Sequence, residues 1–318
     1  MGDNARGLIN VSVPLTNVAV KYSNDATRYI ADKILPIVPV GKEDGIYYTF
    51  GKESFRLYDD IRANGAPSGR VLSYTTGTYS YHCDTRSLHD VVTEQDRANA
   101  DSVISPEITT TEGLVDQRLL RREYDIAAAL FNTTTFAGYT AALSGTDLWD
   151  DYTNSDPIAK LRAAREAVRG KIGRPANRLA IGSSVFNILA QHPDVLDRIK
   201  YSQLGILTPQ LLAALLDVKE VLVGEGIYES TNQKQTSTLS DIWGKFALMY
   251  YMSDEGNPNL KKPSLGYIPQ WNLYGGGQYM TKKWYSDELS GDIVEVTSSY
   301  DIIVACASAG YLYSTVIA

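Results

Sequence analysis

The sequence predicts an α+β protein, and three observations along its 318 residues lead to that class. A run that begins near residue 105 has the start signals and apolar spacing of a long helix. From 150 to about 230, helical patterns alternate with the short apolar runs of buried strands. Beyond 240 the chain is rich in the β-branched and aromatic residues that favour strands. Because the length exceeds the roughly 100–200 residues of a usual domain, we expect two packed units with extensions.

Residues 1–44 have the pattern of an extended arm. Pro36 and Pro39 interrupt a β-branched run, and proline cannot donate a ladder hydrogen bond. This run therefore predicts an edge strand or an irregular strap. Before it, Ile30 and Ile34 lie four residues apart and favour a short helix. Since such an arm has little core of its own, we expect the rest of the chain or a neighbouring copy to hold it.

The segment "GKESFRLYDDIRANGAPSGR", residues 51–70, lies between two runs that favour strands, "IYYTF" and "VLSYTT". It carries seven charged residues and three glycines, and it has no sustained apolar period. About 20 residues without an apolar face are uncommon in a compact domain. The pattern indicates either disorder or a role outside the core.

A long helix is predicted from Ser105 onwards. Ser105 is the expected N-cap, Pro106 takes the first helical position, and Glu107 stands in the first turn. The predicted apolar stripe consists of Ile108, Val115, Leu119, Ile126 and Leu130. About 25 residues at 1.5 Å each span roughly 37 Å, so we expect this helix to be the spine of one unit.

The middle of the chain repeats one helix-start signal. Asp156 before Pro157 and Thr208 before Pro209 each place a capping side chain ahead of a proline in the first helical position. "NRLAIG" and "VKEVLVG" predict short buried strands. "SSVFNILAQH" predicts a helix capped by one of its first two serines. Strands and helices thus alternate here.

Composition narrows the possible functions. A formal net charge of −7 and a pI near 5.1 argue against a general nucleic-acid binder, which normally carries a basic face. The 22 tyrosines suit half-buried surfaces that meet other chains, although tyrosine is equally a common strand residue. Two cysteines imply no disulfide framework, and no run reaches the ~18–20 apolar residues of a membrane span. We expect a soluble protein made in a reducing cytosol.

The sequence predicts no metal site. His82, Cys83 and His89 lie within eight residues, but a structural zinc site needs four ligands. His82 and Cys83 would also point to opposite faces of a strand.

No motif predicts an active site or a cofactor site either. The glycines 275–277 lack the lysine of a phosphate-binding loop. "GSS" at 182–184 lacks the final glycine of a nucleophile elbow. His192 precedes a proline and is expected to cap carbonyl groups at a helix end. We therefore expect a protein that is not an enzyme.

Residues 156–224 closely resemble the major capsid proteins of tailed bacteriophages. In that family a helix leads to a "P-N-x-L-x-I-G" segment, and here "RPANRLAIG" inserts Ala176 between Pro175 and Asn177. An "L…HPDV" helix, a "K-Y" segment, a helix of small apolar residues and a strand ending in "VLVG" follow in the family's order. "DIWG" then stands at 241–244.

The resemblance implies the Hong Kong 97-type capsid fold. That fold has an N-terminal arm, an extended β-hairpin loop, a peripheral domain with a long spine helix, and an axial domain with a central mixed sheet flanked by helices. In sequence order these are expected at 1–44, at 45–82, at 83–150 with 290–318, and at 151–289.

On this resemblance, residues 51–70 are the tip of the extended loop. A two-stranded ribbon has too little core to stand alone, so its tip is expected to lie on an adjacent subunit. The predicted inter-subunit contact residues are Phe55, Arg56, Leu57, Tyr58, Asp59, Asp60, Arg62 and Arg70. The apolar ones would anchor the tip, and the charged ones would surround that anchor.

The function implied is that of a major capsid protein, which self-assembles through hexamer and pentamer capsomers into the icosahedral shell around phage double-stranded DNA. An arm and a loop that reach neighbours make heterologous contacts, which close into rings and shells. The expected partners are other copies of the chain, a separate scaffolding protein (unless a segment was removed), a portal and a decoration protein. The DNA is expected inside the shell without sequence-specific contact, in a virion assembled in the cytoplasm of a bacterial host. No cofactor and no membrane contact are expected.

Two other functions stay open on the sequence. An encapsulin-like bacterial shell that stores cargo enzymes has the same fold, although the "HPDVLDRIKY" region favours the phage protein. An enzyme or an unrelated binding module is the third hypothesis.

Overall fold

The structure is a computed structural model that describes residues 29–50, 57, 61, 76–100, 105–199, 206–231, 238–253, 263–272 and 278–318. Its helices are α1 (Ala31–Ile34), α2 (Glu94–Asn99), α3 (Pro106–Leu130), α4 (Pro157–Ile172), α5 (Ser183–Gln191), α6 (Pro193–Ile199) and α7 (Pro209–Leu216). Its strands are β1 (Ile37–Val40), β2 (Asp44–Phe50), β3 (Thr76–His82), β4 (Asp84–Thr93), β5 (Thr140–Ala142), β6 (Arg178–Gly182), β7 (Glu220–Gly224), β8 (Ile227–Glu229), β9 (Leu239–Asp241), β10 (Ala247–Tyr250), β11 (Ile268–Trp271), β12 (Met280–Ser286), β13 (Gly291–Tyr300) and β14 (Gly310–Thr315). The chain therefore has the mixed α+β composition that its sequence predicts.

One five-stranded sheet, named here the β13 sheet, contains β1, β4, β11, β12 and β13. The ten-residue β13 is its centre, with β4 paired along its length on one side and β12 and β11 on the other. β1 pairs in parallel with β11 at the edge of the sheet. The edge strand predicted around Pro39 is thus confirmed, and its missing N–H explains the edge position.

The spine helix α3 covers one face of the β13 sheet. Leu114, Val115 and Leu119 of the helix pack against Val294 and Val296 of β13. α3 runs for 25 residues from Pro106, as its sequence predicts.

The predicted stripe of α3 is correct at four of its five positions. Val115, Leu119, Ile126 and Leu130 are buried, whereas Ile108 is 40% exposed. Ile108 lies in the first turn, before the helix reaches the apolar core. Ser105 does occupy the N-cap, but its side chain makes no capping bond.

A second five-stranded sheet, named here the β10 sheet, has the order β5-β14-β10-β6-β7. β6 and β7 are parallel, β5 and β14 are parallel, and β10 runs antiparallel to both of its neighbours. The mixed central sheet predicted for the axial domain is therefore present.

The β10 sheet is the middle of three layers. Leu179 and Ile181 of β6 pack on one face with α4, α5, α6 and α7. Ala180 faces the other way and packs with α1, the C-terminal part of α3 and Trp243. Alternation along each strand thus divides the apolar residues between two cores.

Two of the three predicted helix starts that combine a capping residue with a proline make the capping bond, whereas Ser105 before Pro106 does not. Asp156 accepts a hydrogen bond from the Ala159 N–H at 2.9 Å, and Thr208 accepts one from the Leu211 N–H at 3.2 Å. The serine cap predicted for α5 is wrong, since Gly182 is the N-cap and makes no side-chain bond. β6 runs into α5 without a loop, so both serines already lie inside the helix.

Strand pairing divides the chain differently from the predicted domain boundaries. β11 and β12 lie within 151–289 but pair in the β13 sheet. β5 and β14 lie within 83–150 and 290–318 but pair in the β10 sheet. These pairings join distant segments, which boundaries drawn in sequence order do not capture. The four-part division itself stays a prediction.

Candidate inter-subunit surface

β2 and β3 form a two-stranded antiparallel ribbon on either side of the predicted loop tip. The register runs from Asp44 opposite His82 to Phe50 opposite Thr76. Within the described part of the chain, neither strand pairs with a third. β2 contains the predicted strand "IYYTF", whereas 71–75 of "VLSYTT" lie outside the described residues. A ribbon of this kind has little core of its own and gains stability by lying on another surface.

One face of the ribbon is lined with tyrosines. Tyr47 and Tyr79 oppose each other, and their rings stack with centroids 5.6 Å apart. The Tyr81 ring lies so close over Gly45 that a methyl group added to this glycine would come within 2.6 Å of the ring. The glycine leaves room for an aromatic ring to cover the backbone, a known means of supporting glycine in a sheet.

The ribbon also exposes apolar side chains. Ile46, on the face opposite the tyrosines, is 61% exposed. Leu57 and Ile61, between the two strands, are 97% and 88% exposed. Apolar side chains exposed to this extent lose contact with water if another chain covers them, which is favourable.

The structure describes one of the predicted contact residues, Leu57, and finds it exposed. The others lie outside the described residues; these are Phe55, Arg56, Tyr58, Asp59, Asp60, Arg62 and Arg70.

The base of the ribbon is a polar groove. In the His82 ring, Nδ1 lies 2.6 Å from Oδ1 of Asp44 and Nε2 lies 3.6 Å from Oδ1 of Asp84. The backbone N–H of His82 donates to Asp301 at 3.3 Å. The hydrogen bond to Asp44 raises the pKa of His82. Cys83 points the opposite way, as its strand position predicts, and burial raises the pKa of its thiol to about 11. The described residues contain no group of three or more His, Cys, Asp or Glu side chains that could hold a metal ion.

A buried carboxylate anchors the start of α1 to the spine helix. Glu123 is 1% exposed and accepts backbone hydrogen bonds from Ile30 at 3.1 Å and Ala31 at 2.9 Å. The indole N–H of Trp243 donates to the same carboxylate at 2.6 Å. Burial raises the pKa of Glu123, and these hydrogen bonds oppose the shift.

Ion pairing and apolar packing add to this anchor. Arg122, which is buried, pairs with Asp32 of α1, and Arg118 donates to Ser298 of β13 at 2.6 Å. The apolar residues that α1 and its ends bury are Ile30, Ala31, Ile34 and Leu35. The end of the arm thus belongs to the core of its own chain. Of the two expected ways to hold the arm, the rest of the chain does so from Ile30 onwards, through partners about 90 residues later in the sequence.

Sequence reasoning missed these buried charges in α3. One signal was available: Arg118 follows Val115 by three residues and Arg122 follows Leu119 by three, so both lie on the apolar stripe. A charged residue on such a stripe is rarely buried without a partner.

The other sequence motifs have structural roles. His192 accepts a hydrogen bond at Nδ1 from the Asp194 N–H of α6 at 3.2 Å, and its Nε2 lies 3.0 Å from the Ser155 hydroxyl. The prediction that His192 caps carbonyl groups holds for its backbone, because His192 is the C-cap of α5 and its N–H donates to the Leu189 carbonyl at 3.3 Å. Its ring instead caps the N-terminus of the following helix. Burial lowers its pKa. Glycines 275–277 lie outside the described residues.

Among the described residues, no helix combines the length and the apolar content of a bilayer span.

Comparisons with known proteins agree with the fold. Residues 128–241 match the family model of phage major capsid protein E. The chain is 32% identical over 304 residues to the major capsid protein of Burkholderia phage BcepMu, with 94% of each chain covered. It is 30% identical over 242 residues to the major capsid protein of Pseudomonas phage JBD67, and the aligned region covers 74% of this chain and 75% of the relative.

Solved structures show the same architecture. A phage-related protein from Bordetella bronchiseptica RB50 is 25% identical, with a TM-score of 0.77 and coverage of 97% of this chain and 98% of the other. The capsid of cyanophage P-SCSP1u gives a TM-score of 0.60 at 10% identity over 91% and 89% of the two chains. An encapsulin complex from Synechococcus elongatus gives 0.51 at 11% identity over 90% and 88%. At such identities the last two show the fold alone.

Proposed function

The chain belongs to the phage major capsid proteins, and we propose that its ribbon and the loop tip beyond it join neighbouring subunits of the shell. The observation that carries this proposal is the exposure of two apolar side chains: Ile46 on the ribbon is 61% exposed, and Leu57 in the segment between its two strands is 97% exposed. Because a subunit contributes its ribbon to one neighbour and receives a ribbon from another, the contact is heterologous and closes into rings.

The function of the chain is structural: it self-assembles into the capsid shell of a phage virion. The encapsulin alternative is weaker, since that similarity is one of fold at 11% identity. The phage relative shares 32% of its residues with this chain over nearly the full length of both.

Several finer points belong to the proposal. The shell assembles in the cytoplasm of a bacterial host with a separate scaffolding protein, a portal and a decoration protein. It encloses double-stranded DNA without reading its sequence, and the subunit catalyses no reaction. The proposal also includes the division into arm, extended loop, peripheral domain and axial domain, with β11 and β12 kept in the β13 sheet and β5 and β14 in the β10 sheet. The acidic net charge of −7 supports enclosure without tight binding of DNA.

The experiment replaces residues 52–69 with a short Gly-Ser turn in the full chain. We expect circular dichroism close to that of the wild type, because α3 and the β10 sheet make no ladder with the ribbon. Closed shells, counted by electron microscopy, should be lost. The matched variant Ile46→Ser keeps the loop and should reduce the number of shells less.

Two outcomes would contradict the proposal. Unfolding of the subunit would place the segment in the core, and normal shells would make it a loop without a role in assembly.

A further inference from the structure

The hairpin formed by β8 and β9 presents four side chains on one exposed face. Across the hairpin, Ile227 opposes Asp241 and Leu239 opposes Glu229. Ile227 is 51% exposed and Leu239 is 64% exposed, and both acids are exposed as well. Among the described residues neither acid has an ion-pair partner. These four residues are named here the hairpin patch, in which acidic and apolar side chains alternate.

The other face of this hairpin fixes its position. Tyr228 points away from the patch and meets Tyr124 of α3 edge to face, with ring centroids 4.9 Å apart. Tyr228 also packs against the core that lies on the α3 side of the β10 sheet. The hairpin patch therefore lies outermost on that side of the sheet.

A surface of opposite charge lies on α4. Arg162, Arg165 and Arg169 are spaced three and four residues apart, which places them on one side of the helix. Arg162 is exposed and donates to the Leu215 carbonyl at 3.2 Å. The side chain of Arg169 is 61% exposed and bonds Glu166 at 2.5 Å, and Arg165 pairs with Asp217 at 2.7 Å. Arg162 has no ion-pair partner among the described residues. The three arginines are named here the arginine stripe.

The hairpin patch and the arginine stripe cannot meet within one chain. α4 packs against the face of the β10 sheet that carries Leu179 and Ile181, whereas the hairpin lies on the face of Ala180. The sheet thus separates them. In a shell of many copies, however, the patch of one subunit and the stripe of another belong to different chains, so the sheet of one chain does not separate them.

We propose that the hairpin patch of one subunit docks on the arginine stripe of the adjacent subunit. This rests on the proposed function, because it needs self-assembly. Arg162 and Arg169 lie about 10 Å apart along the helix axis, and diagonal residues of a hairpin lie about 7–8 Å apart, so long arginine side chains reach both acids. Guanidinium groups bind carboxylates in a two-pronged geometry. Ile227 and Leu239 would exclude water from these pairs. Different surfaces meet head to tail, as ring closure requires.

The test is a charge exchange in the full chain. Glu229→Lys with Asp241→Lys places like charges across the contact, and so does Arg162→Glu with Arg169→Glu. We expect each pair to lower the fraction of protein in shells at least about tenfold in sedimentation velocity. All four changes together restore opposite charges and should return that fraction to within about threefold of the wild type. Lys171→Glu, on another side of α4, is the matched control and should change it less than twofold.

The outcomes separate the two levels of the proposal. A wild-type chain that forms no shells would overturn the proposed function and the docking with it. If the wild type assembles, normal assembly of either pair, failure of the fourfold variant to recover, or an equal loss in Lys171→Glu would overturn the docking alone. Normal shells with less enclosed DNA for the arginine pair would assign the stripe to nucleic acid instead. Should a lysine or glutamate pair fail to fold by circular dichroism, Glu229→Gln with Asp241→Asn replaces it, with an expected loss of about threefold or more. Unchanged assembly of that variant would also overturn the docking.

Discussion

The indole nitrogen of Trp243 donates a 2.6 Å hydrogen bond to the carboxylate of Glu123, which lies 120 residues earlier in the chain. The same carboxylate receives the backbone N–H groups of Ile30 and Ala31. A single buried side chain of the spine helix therefore joins the arm, the helix and the turn that carries Trp243.

We expect Glu123→Ala to lower the free energy of unfolding by about 3 kcal/mol or more. The substitution leaves three buried donors without an acceptor, and each such group costs about 1–3 kcal/mol. Glu123→Gln keeps one acceptor oxygen and should cost less. Denaturant unfolding followed by circular dichroism measures both, and a loss under about 1 kcal/mol for the alanine variant would contradict the assigned role.

We expect the same anchor to control proteolysis of the arm. The Lys33 side chain is exposed, but the next residue, Ile34, is fully buried, so trypsin must first open α1 to cut there. We expect slow cutting after Lys33 in unassembled wild-type subunits and faster cutting in Glu123→Ala. Lys42, exposed in the turn after β1, is the internal control and should be cut at equal rates in both proteins. Equal rates at Lys33 and Lys42 in the wild type would show that the anchor does not hold the arm.

The capsid-like motifs "RPANRLAIG" and "VLVG" each end in a glycine, and the structure gives a physical reason for both glycines. Gly182 and Gly224 end β6 and β7 side by side, and the turn of "DIWG" at 241–244 crosses over them. A methyl group on Gly182 would lie 2.3 Å from the carbonyl oxygen of Gly244, and one on Gly224 would lie 2.1 Å from the Trp243 ring. The motifs are thus parts of one close backbone crossing.

We expect Gly182→Ala to destabilise the protein by roughly 2–4 kcal/mol, because a backbone carbonyl cannot move aside without shifting the sheet. Gly113→Ala in α3 is the control: nothing lies within 4 Å of the added methyl group, and alanine favours a helix. That variant should gain about 0.5–1 kcal/mol. Thermal unfolding of both compares them directly, and equal effects would argue against the crowded crossing.

His192 should make stability depend on pH. Burial lowers its pKa below the ordinary value of about 6.5, while Asp194 and Asp156 oppose the shift. Below about pH 6.5 the unfolded chain then binds more protons than the folded chain, so the free energy of unfolding falls as the pH falls. In His192→Gln the loss of stability between pH 7.5 and 5.5 should be smaller than in the wild type. His89→Gln, at an exposed position of β4, should leave that loss unchanged. An identical loss in wild type and His192→Gln would refute this assignment.

Local signals in the sequence predicted most of the elements. The cap-and-proline pairs at Asp156 and Thr208 start helices, and the run from Pro106 forms the spine helix. The order of these elements, with "RPANRLAIG" and "DIWG", also predicted the capsid fold. Capping residues, turn residues and apolar periodicity act between residues a few positions apart, so they can be recognised in the sequence before the fold is known.

Only the tertiary structure decided which distant segments meet. β11 and β12 join β13 across a predicted domain boundary, and Glu123 becomes the acceptor for Ile30, 93 residues earlier. The hairpin patch and the arginine stripe likewise lie on opposite sides of the β10 sheet, which the order of their elements in the sequence does not predict. Each helix and strand depends mainly on interactions between residues that are close together in the sequence. Their mutual contacts depend on burial and on hydrogen bonds between remote residues, because a buried polar group selects whichever partner the folded core brings to it.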